Sequence, residues 1–241
     1  MIGIGTLVNT GAIIGGGIAG YFFGSGLKER HQNTLNMACG VSVLFIGIAG
    51  TMAGMLSADG SVISSGRAMF IVIALALGAL IGEIINLEDA FERFGEWLKI
   101  KTGNAKDKDF VNAFVTASLT VCIGAMAIVG SITDGITGDW SILGTKAILD
   151  FIIVMVMTCT LGKGCAFSAI PVFLFEGSIT LLATFLRPIM TEAAMNNLSL
   201  IGSILIFCVG INLVWGKKVR VANLLPAVVI AVAFAFLPFS M

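Results

Sequence analysis

"IPVFLFEGSITLLATFL", residues 170–186, sets an acid, Glu176, in the middle of a run that is otherwise almost wholly apolar. Which solvent surrounds that run decides the fold. The chain has 241 residues, 57% of them hydrophobic and only 12% charged, with a mean hydropathy of +1.02. An ordinary soluble domain carries roughly 25% charged residues, and 14 basic plus 14 acidic side chains are too few to cover a soluble surface of this size. The bilayer is the expected solvent.

Working outward from Glu176, apolar segments fall near 2–24, 36–56, 66–87, 110–131, 143–162, 166–186, 197–215 and 221–240. A spanning helix needs roughly 20 residues, and backbone groups in lipid must be satisfied within the protein, which leaves helices or a closed barrel. Runs of this length exclude a barrel, whose strands alternate over about ten residues. The expected fold is all-α, a polytopic membrane protein of about eight spans in one transmembrane domain covering 1–241. The N-terminus enters its apolar run without a basic leader, so it is expected to stay as the first span rather than be cleaved.

Basic residues give an orientation. With the N-terminus outside, Lys28, Arg30, Arg93, Lys99, Lys101, Lys106, Lys108, Lys163, Lys217, Lys218 and Arg220 fall inside, and only Arg67, Lys146 and Arg187 fall outside. That split follows the positive-inside rule and places both termini outward. The polar stretch 88–109 then lies inside, and Leu87, Phe91, Phe94 and Leu98 recur there at helical spacing, with Trp97 beside them. An amphipathic helix on the inner leaflet is expected. A docking helix for a soluble partner is the other reading.

Several functions are disfavoured. Balanced charge lacks the basic stripe that nucleic acid requires. Cys39, Cys122, Cys159, Cys165 and Cys208 stand singly in apolar runs, without a CxxC or a disulfide framework. His31 is the single histidine, so no multi-histidine metal centre can be built. Gly15, Gly17 and Gly20 spell GxGxxG, but no strand precedes them, and Lys163 in "GKG" lacks the rest of a phosphate loop. No enzyme activity, cofactor or metal is expected. Glycines spaced by four (Gly11, Gly15; Gly16, Gly20, Gly24; Gly50, Gly54; Gly78, Gly82) instead suit close helix packing, within one chain or in a homo-oligomer.

The pieces "GTLVNTGAIIGGGIAG" (5–20), "FVTASLTVCIGAMAIVGSITDGITGD" (114–139), "AIPVFLFEGSITLLA" (169–183) and "VANLLPA" (221–227) resemble the prokaryotic membrane proteins grouped as domain of unknown function 554. The resemblance runs over essentially the whole chain. It implies a bacterial plasma-membrane location and the loose label of transport protein, without a substrate. It also implies that the position of Glu176 needs a polar group more firmly than a negative charge, since an amide is expected there in relatives.

Depth brings the acids together. Glu176 lies near the middle of a helix running outward from 166, and Asp150 some eight residues into one running inward from 143. At ~1.5 Å per residue their depths agree within about 5 Å. Lys146 is one turn from Asp150 on the same face. Pro171 and Gly177 flank Glu176, and a bent or interrupted helix is expected there.

A charge at the bilayer centre costs at least ~2.5–3.5 kcal/mol, so a solute or cation site is expected at Glu176, Asp150 and Lys146. The bland alternative is that Lys146 neutralises Asp150 while Glu176 only hydrogen-bonds a neighbour. Asn9, Glu83 and Asn212 are further intramembrane candidates, although asparagines in spans often only bond neighbouring helices. The "ADG" (58–60) and "TDG" (133–135) segments read as outer turns, where Asp59 and Asp134 are open to a cation.

A shift of 163 residues aligns Glu29 with Glu192, Asn33 with Asn196, Leu35 with Leu198, Gly47 with Gly210 and Ile48 with Ile211. Spans one to three and six to eight would be oppositely oriented, as in inverted-repeat transporters. "IGIAGTMAGMLSADG" and "IGAMAIVGSITDG" also resemble each other, but in parallel. The function expected is transport of a small solute or monovalent cation, with a channel, or a scaffold or sensor acting through 88–109, as the alternatives. In a cysteine-free background, Ser61→Cys and Asp139→Cys should react with an impermeant reagent added outside intact cells and Lys106→Cys should not; outside labelling at 106 would overturn the topology.

Overall fold

The structure, a computed structural model, describes residues 2–26, 28–59, 62–122 and 125–236. Its elements run α1 (Ile4–Ser25), α2 (Glu29–Met55), β1 (Leu56–Asp59), β2 (Val62–Ser65), α3 (Ala68–Ile85), α4 (Leu87–Lys101), α5 (Phe110–Cys122) and α6 (Ala125–Thr137). They continue through α7 (Ser141–Leu161), a 3-10 turn (Lys163–Ser168), α8 (Ala169–Leu181), α9 (Ala183–Leu186), α10 (Glu192–Trp215), α11 (Val221–Leu224) and α12 (Pro226–Phe234). Apart from one short antiparallel hairpin, in which Leu56 pairs with Ser65 and Asp59 with Val62, the described elements are helices.

Among the described residues, six stretches are long and apolar enough to cross a bilayer: Ile4–Gly24, Asn33–Met55, Ala68–Ile85, Ser141–Leu161, Lys163–Leu181 and Glu192–Trp215. The expected fourth span, 110–131, is a bent pair whose halves meet at 61° and which continues to Thr137. The eighth is a shorter apolar stretch, Val221–Phe234, interrupted before Pro226. Six clear spans, or seven with the bent pair, therefore stand where eight were expected. Many large apolar side chains face outward, among them Phe22 at 69%, Ile84 and Leu181 at 83% and Val229 at 71% exposure. In a multi-pass membrane protein that surface meets lipid and needs no further cover.

Small residues set the helix contacts. A Cβ on Gly16 or Gly20 of α1 would collide with the backbone carbonyls of Phe151 and Met155 on α7. On α3, Gly78 and Gly82 admit Ala227 and the Asn223 carbonyl in the same way. On α2, a Cβ at Gly47 would meet Phe207 N of α10 at 2.6 Å, and one at Gly210 of α10 would meet Leu44 N of α2 at 2.8 Å. Of the glycines spaced by four, Gly16, Gly20, Gly24, Gly50, Gly54, Gly78 and Gly82 are thus used inside one chain and Gly15 lies beside Phe151, while Gly11 has nothing within 4 Å of its Cβ position.

Two local expectations are corrected. The "TDG" segment is not a turn: Asp134 and Gly135 lie within α6, and the chain turns at Gly138, whose φ of 72° favours glycine and whose N–H reaches the Asp134 carbonyl at 2.9 Å. Gly135 is needed instead because Thr180 O and Ala183 of α8 and α9 crowd the place of its Cβ. Nor does Pro171 interrupt the helix at Glu176. The interruption comes earlier, at the 3-10 turn, and Pro171 sits in the first turn of α8, where its missing N–H costs no intrahelical bond. The turn expected at "ADG" is spanned by the hairpin, while Gly60, Ser61 and the Asp59 side chain lie outside the described residues and side chains.

The amphipathic segment forms α4, and its stripe is covered by protein: Leu98 is buried, Phe94 packs on Phe114 of α5 at 5.8 Å between ring centroids, and Trp97 and Ile100 remain exposed. Asn86, in the left-handed region at φ 54°, makes the corner between α3 and α4. A Gly→Ala change in a helix gains up to ~1 kcal/mol of propensity, whereas overpacking costs about 1–3 kcal/mol. Gly11→Ala, with nothing within 4 Å of its Cβ, should therefore hold or raise the melting temperature in detergent, and Gly16→Ala and Gly82→Ala should lower it.

Candidate functional site

Helix α7 carries Lys146 and Asp150 one turn apart on a single face, so both side chains point to the same neighbours. Opposite them stand Glu176 from the middle of α8 and Asn9 from α1. Exposure is 0% for Asn9, 1% for Glu176, 4% for Asp150 and 6% for Lys146. The Asn9 amide nitrogen donates to Asp150 Oδ2 at 3.1 Å and to Glu176 Oε1 at 2.8 Å. Its orientation is dictated by those partners, since an amide oxygen there would face two carboxylates.

Lys146 Nζ pairs with Asp150 Oδ2, lies 3.6 Å from Glu176 Oε1, and donates to the Val121 carbonyl at 2.8 Å. That carbonyl is available because α5 ends at Cys122, and the last four carbonyls of a helix have no intrahelical partner. The bend in the fourth span thus supplies a backbone acceptor at the depth of the acids. Two buried acceptors in the cluster, Glu176 Oε2 and Asn9 Oδ1, have no hydrogen-bond donor among the described residues. One ammonium between two carboxylates leaves one negative charge in excess when both acids are ionised, and burying unpaired charge is costly. Thr6 and Thr180, whose hydroxyls lie 3.3 Å apart, continue the polar seam toward the start of α1.

Glu83 and Asn212 do not join this cluster. Glu83, about half exposed, holds Arg220 at 2.5 Å and accepts from the Asn223 amide at 2.6 Å. Asn212 accepts from the N–H groups of Lys218 and Val219 and donates to the Val219 carbonyl, so it closes the loop after α10. Both are consumed in tying helices to the 217–223 segment. A second polar cluster surrounds them: Lys217 lies 3.0 Å from Glu88 and also pairs with Glu92, while Glu88 accepts from Ala222 N at 3.0 Å. Partial burial works against the Lys217 ammonium, but its hydrogen bonds to Glu92 and Glu88 outweigh that and raise its pKa. A cavity of about 540 Å³ opens there, lined by Glu88, Glu92, Lys108, Asn112 and Lys217 and reaching up to Leu119, two residues before Val121.

Asp134 is a buried group that sequence reasoning misplaced. Its carboxylate accepts from Gly3 N at 3.2 Å and Gly5 N at 2.9 Å, capping the first turn of α1 from another helix. Substituting a Cβ at Gly5 would crowd Leu143 and that carboxylate.

Residues 4–236 match the family described as protein of unknown function (DUF554). The chain belongs to this family. It is 31% identical over 226 residues to the uncharacterized membrane protein YdfK of Bacillus subtilis (strain 168), covering 94% of this chain and 93% of that one. It is 28% identical over 232 residues to the uncharacterized protein YqgA of Escherichia coli (strain K12), covering 95% and 94%. No solved structure matches the chain.

Replacing Asp134 by Ala leaves two N–H groups of the α1 start without their acceptor and should lower stability by about 1–2 kcal/mol. Asp134→Asn, which keeps an oxygen acceptor, should lose less. Thermal unfolding of the purified chain in detergent distinguishes the two.

Proposed function

We propose that this chain is a secondary transporter of a small solute or ion, coupled to a monovalent cation or a proton, and not an enzyme. The observation that carries the reading is the buried cluster of Lys146, Asp150, Glu176 and Asn9, where three helices and a helix break converge on excess acid. A charge unused for binding at that depth is a cost without return. Two buried acids this close repel, so a cation that relieves the repulsion is bound there, and solute movement is linked to its binding.

The setting proposed is the bacterial cytoplasmic membrane, with eight crossings when the bent pair and the shorter Val221–Phe234 stretch are each counted as one, and both termini outside. The eleven-to-three division of basic residues supports the orientation. The cavity beside Lys217 then opens inward and approaches the cluster as far as Leu119. The repeat of spans one to three in six to eight gains support from α2 and α10. Gly47 and Gly210, equivalent under the shift of 163, each receive the other's helix, at Phe207 and Leu44, which are equivalent under the same shift. A local two-fold axis in the membrane plane at this crossing suits alternating access.

The test is flux in liposomes reconstituted with matched amounts of protein, across pH and with candidate solutes. Glu176→Gln should fold and change the pH or sodium dependence of flux. Asp150→Asn should impair flux more severely, because it also strips Lys146 of its nearest counter-charge. Wild-type rate and ion dependence in both variants would make the carboxylates structural. Non-saturating flux would mark a channel, and its absence would leave the scaffold role.

A further inference from the structure

We propose that the cavity beside Lys217 binds a small zwitterion with an aliphatic tail, an amino acid of the leucine or valine kind, whose ammonium and carboxylate ends meet opposite walls of the mouth. This rests on the chain being a transporter and goes further by naming the class of solute and the side chains that read it.

The lining divides by chemistry. At about 540 Å³ the cavity has the size of a small-molecule site, and such sites are mostly apolar with a few placed polar groups. One wall of its mouth is acidic. Glu88 and Glu92 lie one turn apart on α4 and share a single cation, Lys217, so that this wall keeps one negative charge in excess. Glu88 is fixed in place, its carboxylate accepting from Ala222 N at 3.0 Å and its own N–H donating to Asn223 Oδ1 at 2.7 Å. The other wall carries Lys108, two residues before α5, and Asn112 in the first turn of α5. Among the described residues neither of these side chains makes a hydrogen bond or an ion pair. Further along α5 the lining turns apolar: Val115 and Leu119 follow Asn112 on the same helix face, joined by Leu161 of α7 and Val209 of α10.

Such a mouth selects two charges at once. A solute with only an ammonium satisfies the α4 wall and leaves Lys108 and Asn112 unmet, and one with only a carboxylate does the reverse. A zwitterion meets both walls and lays its tail along α5, and complementarity of this kind sets specificity more than raw affinity. The apolar end of the cavity reaches Leu119, two residues before Val121, whose carbonyl accepts from Lys146 Nζ at 2.8 Å. An occupied tail site therefore bears on the end of α5 that completes the buried cluster.

Binding of tritiated L-leucine to the purified full chain in detergent, with empty micelles as the blank, tests the site by displacement. L-Leucine, L-valine and L-methionine should displace the label. Isoamylamine and isocaproate, which keep the tail and one of the two charges, should each be weaker by about tenfold, the worth of one charge-assisted hydrogen bond. Glycine, which keeps both charges and lacks the tail, should also be weaker than L-leucine. Lys108 is exposed, and Lys108→Gln should weaken L-leucine by about tenfold while leaving isoamylamine unchanged; Lys108→Arg should restore the preference. Glu92→Gln should weaken L-leucine and isoamylamine together and spare isocaproate. No amino-acid binding, isoamylamine, isocaproate or glycine matching L-leucine, or an unmoved selectivity in Lys108→Gln would each overturn the inference. Retention of phosphatidylethanolamine, whose headgroup pairs an ammonium with a phosphate, in place of any amino acid would overturn it too. Binding with this selectivity but no flux in liposomes keeps the site and removes transport; flux of another solute without amino-acid binding does the reverse. If Glu92→Gln fails to fold, the Lys108 variants and the wild-type comparison still decide.

Discussion

The amide of Asn9 reaching two carboxylates at once is the constraint around which the rest is arranged. A bilayer interior supplies no water to solvate an acid, so each buried oxygen needs a donor from a neighbouring helix. Asn9 links α1 to α7 and α8 in a single residue, and Lys146 adds α5 through Val121. The bend in the fourth span follows from the same need, since an unbroken helix would have used that carbonyl internally. What is packed elsewhere serves to hold those four elements at contact distance, and the glycines of α1 do so by letting its backbone lie directly on α7.

The two polar clusters differ in kind. At the Lys217 end each carboxylate meets a cation or a backbone or side-chain amide; Glu83 and Glu92 are open to water, buried Glu88 is satisfied by Ala222 N and Lys217, and the exposed ion pairs there contribute little beyond closing loops. At the centre the partners are buried, acid exceeds base, and two acceptors have no donor among the described residues. The proposed function is read from the second, because a protein gains nothing in stability by burying charge and leaving part of it unsatisfied.

Much of this was legible from residues alone. The span positions followed from apolar runs, and the meeting of Asp150 with Glu176 followed from helix rise, because depth in a bilayer is one-dimensional and a sequence records it. What failed was lateral. The aspartate of "TDG" has the composition of a turn, and nothing local says that α6 continues to Thr137 so that Asp134 can cap α1. Glu83 and Asn212 had plausible depth too, yet their partners, Arg220, Asn223 and the 218–219 backbone, lie on segments whose packing depth does not encode. The bend between α5 and α6 was missed because both halves are apolar. A further signal was present: Ser131 and Asp134 recur one turn apart in an otherwise apolar run, as polar residues do on a helix face.

The pairing of helices has a consequence for how such a chain is made. α1 lies against α7 and α8, α2 against α10, and α3 against α11 and α12. Every early helix thus waits for a late one. The first three must enter the bilayer as separate rods, their glycine grooves filled by lipid, until the ribosome has delivered most of the polypeptide. Asn9 meets Asp150 only after some hundred and forty intervening residues have been threaded. A nascent chain stalled before α7 would hold a buried asparagine with neither acid to meet, which makes incomplete copies easy for membrane quality control to recognise.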